Sequence, residues 1–189
     1  SARFMGESGY FVTYEQVDPL FSVDLSDPEK PKILGKLKIP GFSEYLHFYG
    51  EDRLLGIGMS TDEESGVAEG VKITMFNISD RSDVKEESTL VLDDLYGSHA
   101  AYDYKSVLAD PEKNVIGLSG YSQNGESYYL LTYNRTDRKF ETILQEEVNG
   151  NTSQGIRGIY IEDTLYVISG NIIEAYDMNT GVKSGDIIL

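Results

Sequence analysis

Short apolar runs alternate along the chain with clusters of Gly, Asn, Asp and Pro, and the apolar runs recur in a fixed order. The segments LFSVDLSD (from Leu20), TMFNISD (from Thr74), LTYNRTD (from Leu131) and EAYDMNT (from Glu174) each carry alternating apolar positions into an Asp or Asn. Those residues, Asp24, Asn77, Asn134 and Asp177, are 53, 57 and 43 positions apart. Ahead of each lies a second apolar run with small residues: GYFVTYE, RLLGIGM, NVIGLSGYS and TLYVISG. Ahead of those comes a first run ending in a turn: ARFMGESG, YLHFYGEDR, YKSVLADPEKN and GIYIEDT. A fourth, more polar run follows each Asp or Asn: KPKILGKLKI, DVKEESTLVL, KFETILQEEV and GVKSGDIIL.

Runs of this length, rich in Val, Ile, Tyr, Phe and Thr and bounded by turn formers, predict strands and hairpins. No segment of helical length sustains a 3.6-residue period. Asp and Asn suit the corner between third and fourth strands, because their side chains bond the backbone two residues on. Four units of four antiparallel strands at this period predict an all-β chain, a β-propeller segment of four blades over residues 2–40, 43–93, 98–148 and 155–189. A stacked β-solenoid competes, but its repeats are shorter and its pairing parallel. The Lys and Glu residues of the fourth strands fit an exposed sheet edge.

The chain has 189 residues, no cysteine, and 16 Lys and Arg against 32 Asp and Glu, for a net charge of -16. A core of that size needs no disulfide staples. Acidic charge of this magnitude repels phosphate backbones and anionic headgroups, which argues against nucleic acid as a partner. No apolar run approaches the ~18 residues needed to span a bilayer, so no membrane insertion is expected of this segment. A chain that starts with Ser-Ala inside a strand-like run reads as a fragment of a longer protein.

The ordered phrases VDPLF, DLSDPEKPKILG, KIPGFSEYLH, LLGIG, GVKITMFNISD, DPEKN and RGIYIEDTLYVIS resemble the secreted bacterial and archaeal proteins that contain a C-terminal β-propeller domain. The resemblance covers essentially the whole chain. It implies a propeller, an extracellular or cell-envelope location, and a chain that forms only the C-terminal part of the full propeller; the family has no established activity to carry over. Where that family is expected to read Asp-His-Lys, this sequence has Asp103-Tyr104-Lys105.

Propellers place ligands where innermost strands begin, so the candidate ligand-binding residues are Ser43, Tyr45, His47, Ser98, His99, Asp103, Lys105 and Arg157. They are polar where a plain core strand is apolar. They suit either a ligand clamp for a carboxylate, sugar or peptide end, or a hydrogen-bonded network that only satisfies itself. The acidic loops STDEESGVAEG and LDDLYG lack calcium-loop spacing and read as solvated tips. QNGES reads as a tight hairpin turn and NGNTSQG as a linker. No phosphate loop, nucleophile elbow or metalloprotease helix is present, and no metal or cofactor is expected. The residues therefore predict a non-catalytic binding or scaffolding module. Its partners would be a protein or glycan ligand and, at its end blades, the remaining blades of a longer protein or a second copy. The alternatives are a glycan-acting hydrolase or lyase using Asp103 with His47 or His99 and holding a carboxylate with Arg157, and a plain structural spacer.

Overall fold

A computed structural model describes residues 1–13, 19–39, 41–62, 64–149 and 155–189. The linker NGNTSQG therefore lies almost wholly outside the described residues. The chain divides into two compact units, Ser1–Asp93 and Asp94–Leu189.

The first unit holds two four-stranded antiparallel sheets. One is β1 (Ala2–Met5), β2 (Ser8–Val12), β3 (Pro19–Asp24) and β4 (Lys32–Lys38); the other is β5 (Phe42–Phe48), β6 (Arg53–Thr61), β7 (Ala68–Asn77) and β8 (Lys85–Leu92). Strands pair in chain order, as successive hairpins must. Tyr10, Val12 and Leu20 of the first sheet pack with Leu46, Leu54 and Phe76 of the second. The Ser22 hydroxyl adds a hydrogen bond from the first sheet to the Arg81 carbonyl of the second.

In the second unit, β10 (Leu108–Asp110), β11 (Val115–Ser122), β12 (Gly125–Asn134) and β13 (Lys139–Glu147) form the third sheet. The fourth is β14 (Ile156–Ile161), β15 (Thr164–Ser169), β16 (Ile172–Asp177) and β17 (Lys183–Ile188). Val115, Tyr128, Leu130 and Leu144 pack with Ile156, Leu165, Val167 and Tyr176. The third sheet departs from the predicted plan at its innermost strand. A two-residue strand, β9 (Gly97–Ser98), pairs with β11 ahead of β10, and residues 99–107 leave the sheet between them as two 3-10 turns.

All four third strands end on the predicted residue, Asp24, Asn77, Asn134 or Asp177. Each side-chain oxygen accepts a hydrogen bond from the backbone N–H two residues on: Ser26, Ser79, Thr136 and Asn179, all at 3.0 Å. The first two corners add a second such turn, Asp27 to the Glu29 N–H and Asp80 to the Ser82 N–H. The last two instead turn on residues with positive φ, Arg138 (φ 54°) and Gly181 (φ 70°). Beyond every corner the outermost strand carries one extra residue against its partner: Leu34, Glu87, Ile143 and Ser184.

Candidate functional site

The eight sequence candidates divide between the units, and each group is built locally. On β5, Ser43 and Tyr45 are buried and His47 is half-buried. A bulge between Ser43 and Tyr45 breaks the register with β6. The Tyr45 hydroxyl lies 3.0 Å from His47 Nδ1, and the Arg3 guanidinium sits 4.9 Å from the centre of the Tyr45 ring. Burial, reinforced by the charge of Arg3, pushes the His47 imidazole below its ordinary range. Burial likewise raises the Tyr45 phenol, against the pull of Arg3. Arg3 comes from β1 of the first sheet, so no pattern along β5 marks it.

In the second unit the excursion of residues 99–107 holds three of the other five candidates, and Ser98 on β9 adjoins it. Ser98 caps its first turn, accepting from the Ala100 N–H, and donates to the Ser119 carbonyl at 2.7 Å. His99 is buried, with Nδ1 2.9 Å from the Ser119 hydroxyl and Nε2 3.4 Å from a Glu126 carboxylate oxygen. Asp103 caps the second turn, accepting from the Lys105 N–H at 3.0 Å. Ser98, His99 and Asp103 are thus occupied in holding the excursion in place. Arg157 lies elsewhere, exposed on the alternate face of β14 that it shares with Ile159 and Ile161.

What the excursion presents is aromatic. Tyr102 and Tyr104 are 69% and 67% exposed, and Tyr121 on β11 is 39% exposed. The His99 ring is wedged edge-on between Tyr102 and Tyr121, with centroids 5.6 and 5.9 Å away and planes at 74° and 73°. The Lys105 ammonium lies 5.9 Å from the Tyr104 ring centre. Burial raises the Tyr102 phenol, and the neighbouring Tyr121, Glu126 and Asp103 push it the same way. Tyr121 and Glu126 come from the β11–β12 hairpin, which the sequence presents only as a polar turn. Their signal is the register: both rise on adjacent strands as a direct cross-strand pair. Such an arrangement, hydrogen-bonded beneath and aromatic at its surface, suits binding. Among the described residues no cluster of His, Asp and Glu is fit to hold a metal ion.

Of the acidic loops, the hairpin tip after β6 is solvated as expected, with Asp62 accepting from the Glu64 and Ser65 N–H groups. LDDLYG is more than a solvated tip: Asp94 accepts a 2.6 Å hydrogen bond from the Tyr129 hydroxyl. No helix among the described residues is long and apolar enough to cross a membrane.

Four antiparallel four-stranded sheets, each turning on an Asp or Asn corner, are the blades of a propeller-type fold. The chain belongs to the β-propeller domain family, described as "Beta propeller domain", which matches residues 1–181. It is similar to an uncharacterized protein of Archaeoglobus fulgidus, 39% identical over 189 residues, which is 100% of this chain and 27% of the relative. A second archaeal relative, an uncharacterized protein of Methanocaldococcus jannaschii, is 35% identical over 179 residues, 95% of this chain and 26% of its own length. The chain thus spans about a quarter of these curated relatives. Among solved structures, Sqt1 of Saccharomyces cerevisiae superposes with a TM-score of 0.63 at 15% identity, over 96% of this chain and 44% of Sqt1. Apo AztD from Citrobacter koseri does so at 0.58 and 12% identity, over 100% of this chain and 46% of AztD. At those identities the likeness is one of fold.

Proposed function

We propose that this chain is a non-catalytic binding module working outside the cytoplasm, and that the Tyr102–Tyr121 surface of the third blade is where it meets its ligand. The observation that carries the reading is the excursion itself. An innermost strand is interrupted by nine residues, 99–107, in which Asp103 caps a turn and His99 contacts Ser119 and Glu126 while two tyrosines stand in solvent. Exposed aromatic rings on a hydrogen-bonded base give contact area at low entropic cost. An enzyme needs an acid and a base free to meet substrate; here the Asp103 carboxylate caps a turn and His99 faces Ser119 and Glu126. The extracellular placement rests on the family resemblance of the sequence.

Glycan and peptide arrays probed with the native chain and with a Tyr102→Ala/Tyr121→Ala double variant test this reading. A ligand captured by the native chain and lost by the variant supports it. Absence of any ligand favours a spacer and ends it, as does undiminished capture by the variant. Export is checked by fractionating source cells, where a wholly cytoplasmic chain contradicts the placement.

We also propose that the outer faces of the first and last sheets are covered by further blades in longer relatives. Phe4 is 61% exposed and Ile33 65% on the first sheet; Ile161 is 62% exposed on the last. Along the last sheet Ile168, Ile173 and Ile187 form one cross-strand row. The register-equivalent Leu130 and Leu144 of the third sheet are buried against the fourth. A cysteine at Ile161 should react freely with maleimide here, while its counterpart in the full-length Archaeoglobus relative should be protected. Equal labelling in both overturns the idea, and protection here through dimerisation points to a second copy instead.

A further inference from the structure

We propose that the ligand of the Tyr102–Tyr121 platform is an alkylammonium ion, carried by a lysine side chain of a basic polypeptide or by a small quaternary amine. This deepens the binding reading above and rests on it. Two exposed phenol rings flank one buried imidazole, and each ring stands nearly perpendicular to it. Ring faces attract cations, most strongly where a carboxylate adds to the field and water is partly excluded. Glu126 supplies that carboxylate. One of its oxygens is buried, has no hydrogen-bond partner among the described residues, and faces His99 Nε2 from 3.4 Å. Burial chiefly, then Tyr121, and after it the negative charges of Glu126 and Asp103, raise the Tyr102 phenol, so the field at that ring is negative.

The chain offers its own precedent on the same excursion, where the Lys105 ammonium approaches the Tyr104 ring. A net charge of -16 draws cations toward the surface and turns anions away. A neutral sugar would use the rings and gain nothing from this field, so the charge distribution selects the ammonium.

The test is an NMR titration of the native chain with tetramethylammonium chloride and with Nα-acetyl-lysine amide. Sodium chloride at matched ionic strength is the control, and maltohexaose the neutral comparison. His47 and His99 are the only histidines, so a His47→Gln variant assigns the His99 ring signals. We expect saturable shifts at His99 and Tyr102 with both cations, weakened about fivefold or more in Tyr102→Leu and again in Glu126→Gln. Tyr102 is exposed, so its variant keeps the fold and separates ligand loss from unfolding. Cation shifts no larger than those from sodium chloride overturn the proposal. If maltohexaose alone moves the same signals, the ligand class is wrong and the platform stands; if no probe moves them and the arrays are blank, the platform falls as well.

Discussion

Tyr128 shows how a single residue sets the spacing of two sheets. Its hydroxyl is fully buried between Gly117 on β11 and Gly158 on β14, and a Cβ at either position would overlap it. Burial drives the phenol well above its usual range, and the hydroxyl has no hydrogen-bond partner among the described residues. An unpartnered buried hydroxyl carries an uncompensated desolvation cost, so Tyr128→Phe should leave stability unchanged or raise it by up to about 1–3 kcal/mol in a urea titration. Gly158→Ala should cost about 1–3 kcal/mol through overpacking. A large loss in Tyr128→Phe would reveal a partner for the hydroxyl. His47 makes a pH prediction of definite sign. Its folded-state pKa is depressed by burial and by Arg3, so the unfolded chain takes up the proton first as pH falls below about 6.5. Stability should therefore decline from neutral pH into the mildly acid range, and His47→Gln should flatten that part of the curve. A native curve already flat there would refute it. The polar character of these residues was legible in the sequence; the partners Arg3, Ser119 and Glu126 were not, because each lies on a different strand.

At the scale of elements, the corners were the most legible feature, since an Asx turn is local chemistry that needs no tertiary information. Asn77→Ala and Asn134→Ala should each cost about 1 kcal/mol, the net worth of one such hydrogen bond, while Asn134→Asp should be nearly silent. Equal losses in Ala and Asp variants would mean that the turn does not depend on that oxygen. Asp24 and Asp177 have their carboxyls pulled below the ordinary range, Asp24 chiefly by the Ser26 N–H and Asp177 chiefly by the Thr180 hydroxyl. Their contribution is complete above the unfolded pKa near 4 and is lost as pH falls through the lower folded value. Asp24→Asn keeps the acceptor and removes the titration, so its acid unfolding should take up fewer protons than the native chain's. The excursion of residues 99–107 was not legible in outline. Its 3-10 turns are three residues each and carry no periodicity, so YKSVLAD has the composition of a strand although the strand begins only at Leu108. The overlooked signal is the pair of caps, Ser98 and Asp103, a few residues apart.

For the molecule as a whole, charge governs behaviour in solution. With a pI near 4.4, the coat that keeps the chain dispersed at neutral pH is neutralised while its corner carboxylates, held below the ordinary range, are still largely ionised. Solubility measured against pH should pass through a minimum near that point and recover with added salt only weakly, because apolar faces such as Ile161 and Ile188 then meet without repulsion. A minimum far from it would assign precipitation to another cause. Repetition made the architecture readable across the whole chain, while the one blade that breaks the pattern carries the proposed function. The extra residue in every outermost strand has a further consequence. Leu34 and Ile143 are aliphatic, Glu87 acidic and Ser184 a small hydroxyl, so what the repeat preserves is a count rather than a residue type. Each one kinks a strand that would otherwise be a straight template for stacking. Excising Leu34 or Ser184, both exposed, should straighten its strand and open the edge to stacking with other copies, whereas Glu87 and Ile143 also hold the interior through Arg53 and the packed core.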